Sequence, residues 1–179
     1  VKVIDAVVES PEQTTNFSTQ ISYRGLNISQ ILDRVDEDTE IIGISNLFTM
    51  ATTLVAYLFK MLKMKAPRAK LIIGGAHATA LPKNVLEQFS SIDYAILSEG
   101  ELTFNLVCER ISSGKSLEDL DGIAYRKNEE IIVVPRKSYV QDIDSIPFPA
   151  RDLVPMEKYF EIDEAHGPTQ LKWTPILMS

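Results

Sequence analysis

Ile41-Ile42-Gly43-Ile44-Ser45-Asn46-Leu47 and, after twenty-six intervening residues, Gly74-Gly75 at the end of Lys70-Leu71-Ile72-Ile73 decide the fold. Each apolar run is too short for a helix and is bounded by charge on one side and small or polar residues on the other. That is how a strand buried on both faces reads. Between the two runs, residues 50–65 place Leu54, Leu58, Met61 and Leu62 at helical intervals, with Val55 and Phe59 widening the stripe. A helix therefore connects the strands and packs on the sheet they form.

The pattern extends in both directions. Toward the N-terminus, residues 1–8 are rich in β-branched side chains and run into Glu9-Ser10-Pro11, which predicts a further strand. After a polar loop, Asn27 and Gln30 have the spacing of a capping pair for a short helix whose Ile28, Ile31, Leu32 and Val35 share a face. Toward the C-terminus, a helix is expected over 82–89, a strand over 93–97 and a helix over 103–112. Strands alternating with helices at this spacing need crossover connections, so the class is α/β with a doubly wound parallel sheet. Beyond Gly114, residues 122–126 and 130–134 flank Lys127-Asn128-Glu129 as an appended β-hairpin. From Arg136 onward, Pro147, Pro149 and Pro155 stand among acidic and aromatic residues, predicting an extended C-terminal connector. The expected organisation is a domain over 1–116, a hairpin over 117–136 and a connector over 137–179.

Bulk properties narrow the function. The 179 residues are 45% hydrophobic and 24% charged, the balance of a folded globular chain. A net charge of -7 argues against coating a phosphate backbone, so no nucleic-acid partner is expected. Cys108 is the single cysteine, which excludes an internal disulfide and a Cys-rich metal site and suits a reducing compartment. No apolar stretch reads as a membrane span or secretory signal, and a cytoplasmic location is the expectation.

In open parallel sheets, ligands sit beyond the carboxyl ends of the strands. The residues at those positions are Asp5 and Ala6, then Ser45-Asn46-Leu47, then Gly74-Gly75-Ala76-His77-Ala78-Thr79, then Ser98-Glu99-Gly100-Glu101. All but Leu47 are small or polar. Paired glycines at a strand end make room for a ligand or a packed helix, or simply supply a turn. A receiver-like or nucleotide-binding domain on the same scaffold is the alternative reading. Ser45 stands where a receiver would need its aspartate, and phosphate-binding glycine signatures are absent.

Ser45-x-Leu47 followed by Gly74-Gly75 resembles the second and third parts of the signature of cobalamin-binding domains in methyltransferases and mutases. Gly74 to Pro82, Ser98-Glu99-Gly100-Glu101 and Ile146-Pro147-Phe148-Pro149-Ala150-Arg151-Asp152-Leu153 narrow the resemblance to cobalamin-dependent radical S-adenosylmethionine enzymes. That group includes the anaerobic oxidative cyclase of magnesium-protoporphyrin monomethyl ester. The resemblance implies a Rossmann-like, flavodoxin-like fold and a cobalamin whose nucleotide tail threads in beside the sheet. Ser45 would bond the benzimidazole, Gly74 and Gly75 would leave room for it, and Asn46, Leu47, Ala76, His77 and Thr79 would line the site.

The resemblance also implies a partner within the same polypeptide. A C-terminal radical S-adenosylmethionine barrel would carry a [4Fe-4S] cluster and S-adenosylmethionine and perform methyl transfer or oxidative cyclisation, with a tetrapyrrole among the substrates to consider. Its cluster cysteines would follow a segment like Pro175-Ile176-Leu177-Met178-Ser179. Family domains also place a strand and helix before the strand read at Val1, in whose loop methyltransferases keep the histidine that ligates cobalt from below. This chain by itself is expected to be catalytically silent.

Several residues have a plainer reading. His77 is expected to be a hydrogen-bonded loop residue rather than a cobalt ligand. Glu99 and Glu101 would bond corrin amides, cap the helix after Gly100, or both. Cys108, on an apolar helix face with Phe104 and Ile111, reads as a buried structural thiol. Asp5 is left between a ribose contact and the end of a strand. His166 reads as solvated, and Trp173, Tyr159 and Phe160 as packing residues of the tail.

Overall fold

A computed structural model describes residues 1–162, and the readings of His166, Trp173 and Pro175 to Ser179 lie outside the described residues. Two units are formed, one from Val1–Asp33 with the residues from Pro147 onward, the other from Arg34–Ile146.

The first unit corrects the N-terminal strand. Residues 1–5 are in no strand, and helix α1 (Ala6–Glu9) begins where the run was expected to continue. Asp5 is its N-cap, with Oδ1 accepting from the N–H groups of Val7 and Val8, both at 3.2 Å. β-Branched composition favours a strand only where a ladder partner is present. Among the described residues none pairs with 1–5. The polar loop that follows instead folds into a two-stranded antiparallel sheet, β1 (Thr14–Asn16) with β2 (Ser22–Arg24). Helix α2 (Ile28–Leu32) carries the expected capping box: Gln30 N–H donates to Asn27 Oδ1 at 2.9 Å, and Asn27 N–H to Gln30 Oε1 at 2.8 Å.

The second unit is built on β3 (Ile41–Ser45), β4 (Lys70–Gly74) and β5 (Tyr94–Ile96), which are mutually parallel. Helix α3 (Thr52–Lys65) crosses from β3 to β4 after a 3-10 turn at Thr49–Ala51, and buries Phe59 and Leu62. The connection from β4 to β5 is split into α4 (Ala76–Ala80) and α5 (Pro82–Gln88), the latter opening on a proline that needs no amide partner there. Helix α6 (Glu101–Ser112) follows β5. Leu71, Ile72 and Ile73 in the middle of β4 are at most 1% exposed, so the strand is covered on both faces, as its unbroken apolar run predicts. Ile72 packs with Ile96, Val107 of α6, Ile123 and Tyr125.

The expected hairpin forms from β6 (Ile123–Lys127) and β7 (Glu130–Val134), with Asn128 and Glu129 at φ 49° and 68°. Positive φ at both central residues is the turn that matches strand twist. β6 also pairs antiparallel with β5, so the ribbon continues the main sheet, giving the order β3-β4-β5-β6-β7. Beyond it, the stretch read as extended contains 3-10 turns at Ile143–Ser145 and Arg151–Leu153 and helix α7 (Met156–Ile162). Pro155 precedes α7, where its fixed φ starts a helix rather than breaking one. In the first unit, the Tyr159 hydroxyl of α7 donates to Asp5 Oδ2. Among the described residues no helix is long and apolar enough to cross a membrane.

Candidate functional site

The carboxyl ends of β3 and β4 are locked side by side by their register. Ser45 pairs with Gly74, and the ladder runs one step further, with Asn46 N–H donating to the Gly74 carbonyl at 2.8 Å. The Asn46 carbonyl then accepts from His77 N–H at 3.2 Å, which draws the first turn of α4 onto the loop after β3. Side chains complete the clasp: Asn46 Nδ2 donates to Thr52 Oγ1 at 3.0 Å, and His77 Nδ1 meets Thr49 Oγ1 at 3.0 Å.

The two glycines at this junction do different things. Gly75 has φ 94° and ψ 177°, a conformation that essentially only glycine adopts. A Cβ there would stand 2.6 Å from the Asn46 carbonyl oxygen. Gly75 is therefore required by close backbone approach. Gly74 has an ordinary strand conformation, and a Cβ on it would meet no atom within 4 Å. The space over Gly74 is open, with the exposed Ser45 side chain on the neighbouring strand.

Two buried side-chain atoms here lack a partner: Asn46 Oδ1 and His77 Nε2. The two residues are 1% and 5% exposed. His77 lies in helix α4 rather than in a loop, and its hydrogen bond is the one to Thr49. Around this polar pair the loop carries exposed apolar side chains, Leu47 at 59%, Phe48 at 66% and Met50 at 86%. Met50, where the helical stretch was expected to begin, lies in the 3-10 turn ahead of α3 instead.

The third strand end joins the same rim. Ser98 N–H donates to Thr79 Oγ1 at 2.9 Å, tying the turn after β5 to α4 and holding Ser98 at φ 61°. Arg136 braces the turn from the far side, donating to the Glu99 carbonyl and, at 2.9 Å, to Thr103 Oγ1. Glu99 and Glu101 point to solvent, and no side chain caps α6 at Gly100, so the capping expected of these carboxylates is not made. Glu101 still lies in the first turn, where negative charge meets unsatisfied N–H groups favourably.

The structure thus brings Ser45, Asn46, Leu47, Gly74, Gly75, Ala76, His77 and Thr79 together, with Glu99, Gly100 and Glu101 beside them. Asp5 caps α1 and bonds Tyr159 in the other unit. Cys108 is half-buried, and burial pushes its thiol pKa up, which suits an unreactive cysteine. Sequence reasoning missed Thr49, Thr52 and Arg136. The two threonines had a readable signal, hydroxyls a few residues after Ser45-x-Leu47, but their partners are set by packing. A concavity of about 490 Å³ lined by Lys70, Asp93, Tyr94, Lys115 and Arg126 lies at the opposite, entry ends of the parallel strands, away from this rim.

Comparison with known proteins follows the same residues. The profile of the B12 binding domain matches residues 11–107. The cytidylyl-2-hydroxyethylphosphonate methyltransferase of Streptomyces wedmorensis is 30% identical over 192 residues, covering 94% of this chain and 36% of that protein. The anaerobic magnesium-protoporphyrin IX monomethyl ester cyclase of Synechocystis is 29% identical over 111 residues, covering 62% of this chain and 22% of the cyclase. The chain thus spans about a third or less of these relatives. Among solved structures, the cobalamin-dependent S-adenosylmethionine radical enzyme OxsB, with aqua-cobalamin and S-adenosylmethionine bound, aligns with TM-score 0.62 and 19% identity over 78% of this chain and 19% of OxsB. That likeness establishes the Rossmann-like α/β fold. With its matched residues running from the first unit through β3, β4 and β5 into α6, this chain belongs to the B12 binding domain family.

Proposed function

We propose that the chain holds cobalamin over the carboxyl ends of β3, β4 and β5 and serves as the cofactor module of a radical S-adenosylmethionine enzyme. In that reading, the [4Fe-4S] cluster and S-adenosylmethionine belong to a further domain of the same polypeptide. The observation that carries the site is the Ser45–Gly74 register pair: a hydroxyl on one strand end beside open space on the next. The residues fit the cofactor. A flat heteroaromatic ring needs a gap free of side chains, which Gly74 leaves, and a hydrogen-bond donor at its edge, which Ser45 offers. Leu47 and Ala76 give apolar surface beside it, and Thr79 fixes the turn carrying Glu99, Gly100 and Glu101 at the far rim.

When bound, cobalamin supplies a cobalt centre able to carry a methyl group or to exchange electrons. The chain's own residues bind and orient it. The relatives' names favour methyl transfer for the whole protein, with cyclisation as the other reaction they name. The division into a cofactor domain over 1–116, a hairpin over 117–136 and a connector over 137–179 toward a radical domain is part of the same proposal.

The test is direct titration of the 179-residue chain with hydroxocobalamin, followed by visible absorbance and calorimetry. Saturable one-to-one binding, weakened about tenfold by Ser45→Ala through loss of one hydrogen bond, is the expected result. A folded chain that binds no cobalamin at micromolar concentrations would overturn the reading.

A further inference from the structure

We propose that the concavity at the entry ends of the parallel strands is a second ligand site, one that takes a small organic carboxylate with an apolar body. All its lining residues belong to the second unit, and it lies at the end of the sheet opposite the strand exits. The inference stands independently of the cobalamin reading.

The walls are held in place by the fold itself. Tyr94 of β5 and Tyr125 of β6 are register partners, which sets their rings side by side on one face of the sheet. The segment after α6 turns at Gly114, with φ 67°, and returns to that face, where Leu117 packs in the cluster containing Ile123 and Tyr125. Charged contacts pin it there. Arg110 donates to the Ser116 carbonyl at 2.8 Å and to Asp119 Oδ2 at 3.0 Å, and Lys127 donates to Glu118 Oε2 at 2.6 Å. The enclosed space of about 490 Å³ is of the size that small-molecule sites have.

The chemistry of the ligand follows from what the lining leaves unused. Both carboxylates are committed: Asp93 accepts from Leu71 N–H at 2.9 Å and from Lys63 at 3.3 Å, and Glu118 accepts from Lys127. The guanidinium of Arg126 is turned to the backbone carbonyls of Leu86 and Ile92. Among the described residues, the Lys115 ammonium and the hydroxyls of Tyr94 and Tyr125 have no hydrogen-bond or ion-pair partner. Burial, then the carboxylates of Asp93 and Glu118, pushes the Tyr94 phenol up, so it keeps its proton to donate. One free ammonium and two phenols suit an anionic oxygen. Four cationic residues against two carboxylates in the lining give the place a positive excess, in a chain of net charge -7, and draw anions to it. With the one guanidinium of the lining engaged elsewhere, the fork that grips phosphate is not presented, which favours a carboxylate. The two rings, with Ile111 and Leu117, give cover for an apolar body.

The experiment titrates the isotope-labelled 179-residue chain with phenylacetate, indole-3-acetate and hexanoate, following amide chemical shifts. Inorganic phosphate and phenethylamine, which replaces the carboxylate by an ammonium, serve as comparisons. At least one of the carboxylates is expected to give saturable shifts centred on Tyr94, Gly114, Lys115 and Ser116, with Kd of about 1 mM or below, and the two comparison compounds none. Lys115→Ala and Tyr94→Phe should each weaken that binding roughly 5–10-fold, by loss of one hydrogen bond or ion pair. Lys115 is exposed, and Tyr94→Phe keeps the ring, so melting curves should match the wild type. The absence of saturable shifts with all three carboxylates up to about 10 mM overturns the inference. So do an equal response to phenethylamine, tighter binding of phosphate than of any carboxylate, and binding undiminished in both variants.

Discussion

Substituting the paired glycines one at a time should give opposite results. In Gly75→Ala the new methyl is placed 2.6 Å from the Asn46 carbonyl oxygen and 2.9 Å from its carbon, on a backbone at φ 94°. Holding an L-residue in that region costs roughly 1–3 kcal/mol. The overlap is with backbone that also accepts from His77 N–H, so it cannot be relieved by turning a side chain. A total loss of about 3 kcal/mol is expected, lowering the melting temperature by roughly 6–12 °C for a chain of this size. In Gly74→Ala the methyl meets nothing within 4 Å, and the unfolded chain loses freedom, so stability should hold or rise by about 0.4–1 kcal/mol. That same methyl fills the space proposed for the nucleotide base, and cobalamin affinity should fall at least about tenfold, or 1.4 kcal/mol. Thermal melts and cobalamin titrations of both variants check the pair. A Gly75→Ala chain as stable as the wild type, or a Gly74→Ala chain that binds cobalamin normally, refutes the reasoning.

The remaining predictions concern the framework. Burial, then the hydrogen bond donated to Asp5, pushes the Tyr159 phenol up to about 12. Because the folded value exceeds the unfolded one near 10, the neutral phenol's contribution is complete below pH 10 and is lost as pH rises toward 12. Burial also raises the Tyr94 phenol, so phenolate absorbance should show a late-titrating component from which Tyr159→Phe removes one tyrosine. Asp121 accepts from the amides of Lys137 at 2.9 Å and Ser138 at 2.7 Å, which holds its carboxyl below the usual carboxylate range. The stability difference between wild type and Asp121→Asn should therefore be present at neutral pH and vanish as acid protonates the folded carboxyl, as urea melts across pH would show. Phe59 is fully buried on the inner face of α3, and Phe59→Ala should cost about 3–5 kcal/mol by chemical denaturation.

Much of the fold could be read from local pattern. The apolar runs 41–44 and 70–73, the stripe of α3, the Asn27–Gln30 capping box and the Asn128-Glu129 turn all formed where their chemistry pointed. Each depends on neighbours within a few residues, and hydrophobic period or turn chemistry reports those directly. The run 1–8 misled because composition records a preference for strand, while a strand exists only with a partner to complete its hydrogen bonds. The β1–β2 sheet was missed for the converse reason: its strands are three residues long and polar, with too little alternation to stand out.

By itself, then, the sequence determined that strands alternate with helices, that small and polar residues follow the strands, and that Ser45 and Gly74-Gly75 are spaced as in B12-binding domains. Tertiary structure decided that Ser45 stands opposite Gly74, that Gly75 is needed by Asn46 and Gly74 is not, that Thr49 and Thr52 engage His77 and Asn46, and that the hairpin extends the main sheet. Those outcomes turn on register and approach between segments up to tens of residues apart. Such distances are set by how whole elements pack, and no local spacing of residues encodes them.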